Sequence, residues 1–493
     1  MQLKALLSNI PTTSVDGPVD REISSLAYDS RRVKPGSLFV ALQGEKVDGS
    51  QFISKAVDSG AEAVVGEAAQ VRTRATHIVV PNARSAMADL AAAFFQQPSR
   101  HLKLAGVTGT NGKTTTTFLI KHICDQALLR CGLMGTVYYQ VGERILPASR
   151  TTPESLDVQD LLWQMRSAGC KAAAMEVSSH ALTQERVRGV EFDAAIFTNL
   201  TQDHLDYHGS MERYFEAKAS LFEGLPRQKK KRGKAILNLD DRFGAQLFHR
   251  FKNELSVVTY GQGVHADFRA SGVRTDFNGT SYQLDAVGRS YLVRLPLIGL
   301  FNVYNSLAAL AGAHAMGVDV RTAVLALASA PAVPGRMEPV PAQRQFKVFV
   351  DYAHTEDALL NVMKTCRELQ PARLIVVFGC GGDRDKTKRP RMGAVVDQYA
   401  DYAILTSDNP RKEDPKLILE DIKAGMPRGR FEVIEDRREA IYKAIALAQP
   451  RDIILIAGKG HENYQEFADR TVPFEDRAVA LQALEGKRVE LDQ

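Results

Sequence analysis

Tryptophan occurs once in the 493 residues and cysteine five times. Cys124, Cys131, Cys170, Cys366 and Cys380 are scattered, odd in number and never arranged as CxxC. That excludes a disulfide framework and a cysteine zinc site, and implies reduced thiols in a cytoplasmic protein. Nowhere do apolar residues run together long enough to cross a bilayer, so no membrane insertion is expected. The start, MQLKALLSNIPTTSVDG, lacks the apolar stretch of a signal peptide. Charge is nearly balanced, 63 basic against 58 acidic side chains for a net +5, which is too mild to argue for a nucleic-acid partner. Internal repeats and low-complexity tracts are missing as well. What remains is an ordinary globular composition, 44% hydrophobic and 25% charged. At roughly 100–200 residues per domain the chain should form two to four domains.

The order of elements predicts an α/β protein of three domains. Residues 1–84 read as a small α/β unit, with strands at LFVAL (38–42) and AVVG (63–66) around a crossover helix that Gly60 stops. Residues 85–335 open with a helix from Ser85 to Gln97 and the strand LKLAGVT. Further buried strands follow at AAAMEV (172–177) and AAIFTNL (194–200). Short strands with Gly and Asn turns between 255 and 298 predict a small antiparallel insert, and the lysine run at 229–231 reads as a solvated connection. The linker APAVPGR (330–336) leads to residues 336–493, where KVFVDYA, RLIVVFG, YAILTSD, RFEVIED and DIILIAG alternate with helical stretches. That alternation predicts a Rossmann-like, doubly wound parallel sheet.

The strongest local signal is GVTGTNGKTTTT, Gly106 to Thr117. A buried strand ends, glycines permit a tight turn, and a helix begins at Lys113-Thr114, so free N–H groups and the helix dipole face an anion. Lys113 can reach the β/γ-phosphates of ATP, and the Thr114 or Thr115 hydroxyl can ligate Mg²⁺. The general GxxxxGK[ST] spacing is off by one, because Val107 stands where the first glycine belongs. Glu176, at the end of a buried strand, is well placed to hold Mg²⁺ bridging ATP phosphates. His204, following Asp203 at the end of the next strand, is a second candidate ligand. In the third segment four loops with unusual residues follow the strands, the edge where open α/β sheets bind ligands. FGCGGDRD there suggests a dinucleotide fingerprint, but Arg384 replaces its third glycine.

TGTNGKTTT resembles the loop of the Mur ligase and folylpolyglutamate synthase superfamily, and the resemblance runs nearly end to end. It implies a small N-terminal domain for a uridine-nucleotide substrate, a central P-loop ATPase-type domain and a C-terminal amino-acid domain. The implied activity is an ATP- and Mg²⁺-dependent amide ligase of cytoplasmic peptidoglycan precursor synthesis. It would add meso-diaminopimelate to the D-Glu γ-carboxylate of UDP-MurNAc-L-Ala-D-Glu through an acyl-phosphate. Its partners would be small-molecule substrates, with no nucleic acid and no membrane insertion, and it is expected to be a monomer. A lysine-adding ligase, a folate ligase and a non-catalytic scaffold of the same fold are the rivals.

The resemblance also implies site residues. Lys113, Glu176, His204 and Lys218 would be catalytic, with Lys218 carried as a carbamate and, with Thr114, Glu176 and His204, serving the metal. ATP would meet Gly109, Thr110, Asn111, Gly112, Lys113, Thr114 and Thr115, and on closure Asn302, Arg336 and Asp351. The UDP-MurNAc-dipeptide would meet Tyr28, Ser30, Glu45, Lys46, Val47, Thr151, Thr152, Ser178, Gln184 and Arg186. Diaminopimelate would meet Arg384, Asp408, Asn409, Pro410, Arg411, Gly458 and Glu462. In DNPR, Arg411 would bind the carboxylate that lysine lacks, while Glu462 holds the neighbouring ammonium. Lysine would leave Arg411 buried without a partner, at about 2–5 kcal/mol by analogy with other buried charge pairs. His204 and Asp351 are both open as acceptors of the amine's proton. The family's DYAHTPD has Glu356 in place of its proline here, and a hinge is expected near Pro334-Gly335.

Overall fold

The strand Lys103–Thr108 organises the middle of the chain. It is buried from Leu104 onward and pairs in parallel with Ala172–Glu176 on one side and Ala194–Phe197 on the other. Unbroken small and branched apolar residues, with no polar alternation, suit strands covered on both faces. One face packs on the helices Lys113–Gln126 and Leu300–Ala315, through Leu119, Ile120, Val303 and Leu307. The other packs on Ser155–Ser167 and Met211–Glu223, through Leu162, Met165, Tyr214 and Phe222. The computed structural model describes residues 1–8, 10–44, 47–68, 73–229, 232–341 and 343–486.

The small antiparallel insert expected over 255–298 is instead a continuation of this sheet. Ser256–Gly261 runs parallel to Lys234–Asn238, and the meander Phe268–Asp276, Gly279–Ala286 and Arg289–Leu295 extends the sheet to eleven strands. Alternation along Gly279–Ala286 puts Tyr282 and Leu284 into the same core as the helix Leu300–Ala315, so one sheet rather than two satisfies the apolar face. Of the lysine run, only Lys229 lies within the described residues.

The first domain is a five-stranded sheet whose Ser14–Asp16 edge strand is antiparallel to an otherwise parallel set. The helix Ala83–Phe94 straddles the expected 84/85 boundary. It begins at Asn82, whose side chain caps Ser85 N–H, and it buries Ala86, Met87, Leu90 and Ala91 against Leu3, Leu6 and Ile78. The chain crosses to the central sheet only at the turn Pro98–His101.

In the third domain Lys347–Asp351, Ile453–Ala457, Leu374–Phe378, Tyr402–Leu405 and Phe431–Val433 form a parallel sheet with one short antiparallel edge strand. Helices cover both faces, giving two separate cores. Glu356 takes the proline's place as the first residue of the helix Glu356–Glu368, capped by Thr355, where an acidic side chain suits the helix dipole. Gly335 of the linker has φ +65° and donates to Glu338, and a Cβ there would sit 2.2 Å from His461 N. In this arrangement the expected hinge is packed rather than free.

Arg437 and Asp476, each fully buried, exchange two 2.7 Å hydrogen bonds, and Arg437 also donates to the carbonyl of Ala457 at the end of a core strand. Asp476→Ala leaves that guanidinium buried without its counter-charge. The urea unfolding transition of this variant should show a loss of about 3–5 kcal/mol, the usual cost of breaking a buried pair.

Candidate active site

Three loops meet at the carboxyl edge of the central sheet. Gly109 has φ +142°, and a Cβ on it would lie 1.9 Å from Thr198 Oγ1, so no side chain fits there. The loop is held from the next strand. Thr110 N–H donates to the Asn199 carbonyl (2.8 Å), Asn111 N–H to Asn199 Oδ1 (2.9 Å), and Thr198 Oγ1 donates to the Asn111 carbonyl (2.6 Å). Thr198 and Asn199 are functional residues that sequence reasoning missed. Their signal was the polar pair ending AAIFTNL.

The Lys113 ammonium folds back onto its own loop, donating to the carbonyls of Gly109 (3.0 Å) and Thr110 (2.7 Å). Burial holds its pKa below the usual lysine range. Glu176, 1% exposed, accepts from Thr136 N–H at 2.8 Å on one oxygen and from Thr114 Oγ1 at 3.1 Å on the other. From the linker, Arg336 Nη2 donates to the same Thr114 hydroxyl at 3.1 Å, with its guanidinium over the Tyr352 ring. Lys218 is 1% exposed, lies over the Tyr214 ring and donates to the Gly109 carbonyl at 2.8 Å. Burial first, and the Lys113 charge second, push its amine well below the lysine range.

His204 is in the left-handed region, with Nε2 3.5 Å from Asp203 and its ring 4.8 Å from that of His180. Burial lowers its pKa to about 4, leaving a neutral imidazole. Asp351 spends both oxygens on N–H groups, those of Met337 (2.6 Å) and Ala353 (2.7 Å), and burial raises its pKa. Asn302 bonds Ile298 and Asn305, and it is Asn305, another residue missed, that lines the loop cavity with Lys113, Glu176 and Arg336. That cavity is about 360 Å³. A second, of about 620 Å³, contains His180, Arg384 and Lys388, and the two share Asp203, His204, His354 and Thr355. Across this junction Asp357 of the third domain accepts from Asn111 Nδ2 (2.9 Å) and Thr201 Oγ1 (3.2 Å).

Thr151, Thr152, Ser178, Gln184 and Arg186 form one connected patch. Thr151 meets Thr136, Thr152 meets Ser178, and Arg186 donates to the Thr152 carbonyl (3.0 Å) and to Gln184 (2.6 Å). Arg186 shares Glu154 with Arg150 and Arg84, a cluster of three guanidiniums on one carboxylate that the sequence did not reveal. Tyr28 donates to Asp157 at 2.6 Å, Ser30 begins a short turn capped by Asp29, and Val47 is exposed. Glu45 and Lys46 lie outside the described residues.

In the third domain, Asp408, Asn409, Arg411, Gly458 and Glu462 come together. Asn409 Nδ2 and Lys459 Nζ both donate to Glu462 Oε2, at 2.9 and 2.7 Å, and a Cβ on Gly458 would lie 2.6 Å from Asp408 Oδ2. Pro410 packs its carbonyl against Gly382. Arg384 is exposed and lines the larger cavity rather than joining this group. The expectation of a buried Arg411 lacking a partner is corrected. It is partly exposed and already bonded to Glu466 (3.0 Å) and the Gly382 carbonyl (2.8 Å).

A strand, a glycine turn with a lysine, and a helix, facing a doubly wound domain that touches the turn, define the class of P-loop nucleotide-binding proteins. Comparisons with known proteins give the family. The chain matches the Mur ligase family catalytic domain over residues 22–95, the Mur ligase middle domain over 107–313 and the Mur ligase glutamate ligase domain over 335–460. A protein of Syntrophomonas wolfei named UDP-N-acetylmuramoyl-L-alanyl-D-glutamate--2,6-diaminopimelate ligase is 46% identical over 492 residues, covering 99% of this chain and all of its own. A solved structure of a ligase of that name superposes with a TM-score of 0.72 at 35% identity, covering 99% of both chains. MurF from Acinetobacter baumannii shares the fold, with a TM-score of 0.69 at 20% identity over 98% of both. The chain belongs to the Mur ligase family.

Gly109→Ala must displace Thr198 and strain the backbone. Nucleotide affinity, measured by fluorescence titration, should fall about ten- to hundredfold with the circular dichroism spectrum retained.

Proposed function

We propose that this chain is an ATP-dependent amide ligase that joins meso-diaminopimelate to the D-Glu γ-carboxylate of UDP-MurNAc-L-Ala-D-Glu, acting as a cytoplasmic monomer in peptidoglycan precursor synthesis. The observation that carries this reading is the Thr114 hydroxyl held between Glu176 and Arg336, which joins the phosphate loop to the entrance of the amino-acid domain. Identity to diaminopimelate ligases along the whole chain supports the choice of amine. Among the described residues no helix is long and apolar enough to cross a membrane.

In this reading Gly109 to Thr115 cradle the phosphates, and Lys113 leaves its loop carbonyls for them. The D-Glu carboxylate oxygen attacks the γ-phosphorus, the bond to the β-phosphate oxygen breaks, and ADP leaves. The diaminopimelate amine then attacks the acyl carbon, the C–O bond to phosphate breaks, and the amine's proton passes to an acceptor. His204 lines both cavities, as its metal role below requires, and both oxygens of Asp351 are engaged by backbone N–H groups. The protein contributes position and charge rather than covalent chemistry.

The donor set fits Mg²⁺. Thr114 Oγ1 and Glu176 Oε2 are a hydroxyl and a carboxylate beside the loop, and among the described residues no three His, Cys, Asp or Glu gather to hold an ion alone. That suits a metal carried mainly by phosphates and water, where it neutralises phosphate charge. A neutral Lys218 amine can add carbon dioxide at Nζ, losing a proton and becoming an anionic carbamate. His204 and the carbamate would then complete the set. Tyr28, Ser30, Thr151, Thr152, Ser178, Gln184 and Arg186 would hold the uridine nucleotide, and Arg384, the DNPR segment, Gly458 and Glu462 the amine.

Phosphate release with ATP, Mg²⁺ and UDP-MurNAc-L-Ala-D-Glu should require meso-diaminopimelate. Release with L-lysine instead makes the chain a lysine ligase, and none with either amine makes it a scaffold. Arg411→Ala should cut kcat/KM for diaminopimelate about ten- to hundredfold, the worth of hydrogen bonds to a charged group. In ¹³C-bicarbonate, a carbamate carbonyl resonance should appear in the wild type and vanish in Lys218→Ala.

A further inference from the structure

Arg411 is fixed by a ribbon that lies outside the six-stranded sheet of its domain. Tyr464–Glu466 pairs antiparallel with Thr471–Pro473 as a separate two-stranded unit. This ribbon is stitched along the DNPR loop at three of its four residues. Gln465 Nε2 donates to the Asp408 carbonyl (2.8 Å), Glu466 N–H to Asn409 Oδ1 (2.9 Å), and Arg411 N–H to the Glu466 carbonyl (3.1 Å). The side chains repeat the pairing, with Arg411 Nε on Glu466 Oε2 at 3.0 Å. Arg411 sits at φ +52°, a conformation that a non-glycine residue holds only when its surroundings impose it.

A guanidinium is a planar fork of five N–H donors. Glu466 takes the Nε donor and the Gly382 carbonyl takes one on Nη1, so the plane and rotation of the fork are set before any ligand arrives. The charges are paired too. Arg411 faces Glu466, and Lys459, fully buried, faces Glu462. A group with one ammonium and one carboxylate adds no net charge to two such pairs, whereas a lone ammonium adds one.

We infer that Glu466 is a positioning residue for amine selection: by holding Nε it turns the Nη edge of Arg411 toward the far carboxylate of the incoming amine. This rests on the diaminopimelate reading above. Sequence inspection did not single out Glu466, because nothing in YQEF distinguishes it from a surface residue of an edge strand.

Steady-state kinetics on the full chain test the inference, with diaminopimelate and ATP varied in turn. Glu466→Ala should raise KM for diaminopimelate about tenfold, the worth of one hydrogen bond to a charged group, with kcat and KM for ATP within about twofold. Glu466→Gln keeps an oxygen that accepts from Nε and should restore most of the loss. An unchanged KM for diaminopimelate in Glu466→Ala overturns the inference, as does an equal rise in KM for ATP, which would mark general loosening. Failure of the glutamine to rescue overturns it as well. A wild type that uses lysine as readily as diaminopimelate removes the substrate reading, and the inference falls with it.

Discussion

One hydroxyl links the parts of this molecule. Thr114 Oγ1 lies 3.1 Å from a carboxylate of the central sheet and 3.1 Å from a guanidinium at the head of the third domain. An anion at the phosphate loop would be attracted by the guanidinium and would need a cation between itself and the carboxylate. Glu176 is held there by Thr136, and Arg336 by stacking on Tyr352, whose own N–H donates to the Gly335 carbonyl. The position of the third domain is thus coupled to the state of the loop, and Asp357 on Asn111 adds a second link. In the proposed reaction such a link would help keep an acyl-phosphate from water, because the loop assigned to the nucleotide lies next to the domain assigned to the amine.

Buried charge recurs in this fold, and its partners are carboxylates in some places and carbonyls or rings in others. Arg437 has Asp476, Lys459 has Glu462, and Lys113 has carbonyls of its own loop. Lys218 has the Gly109 carbonyl and the face of Tyr214, with no carboxylate paired to it among the described residues, and burial pushes its amine well below the lysine range. That difference in surroundings, rather than anything in the local sequence YFEAKASLF, separates a chemically available lysine from a structural one.

The phosphate loop, the doubly wound third domain and most buried strands were legible because their signals are local. A glycine turn between a strand and a helix, or a run such as IILIA, carries its meaning within a few residues. The meander after Ser256 was misread because strand alternation tells which face is buried but not which sheet the strand joins. The helix at the first domain's edge was hard to assign for a related reason. The helix Ala83–Phe94 has an apolar stripe, but only the fold shows that Leu3 and Ile78 cover it. Within the site, the residues proposed to meet ligands follow motifs, whereas those that hold them, such as Asn199 and Glu154, are polar residues whose partners lie far along the chain. Arg411 shows the limit most plainly: DNPR names the guanidinium, and nothing in DNPR reveals that Glu466 already occupies one of its edges.

The central claim is that carboxylate oxygen becomes phosphate oxygen. UDP-MurNAc-L-Ala-D-Glu labelled with ¹⁸O in both oxygens of the γ-carboxylate, supplied with ATP, Mg²⁺ and diaminopimelate, tests it directly by mass spectrometry of the released phosphate. An acyl-phosphate requires one ¹⁸O in each phosphate and one retained in the new amide. Phosphate free of label, with amide formed, would contradict the account.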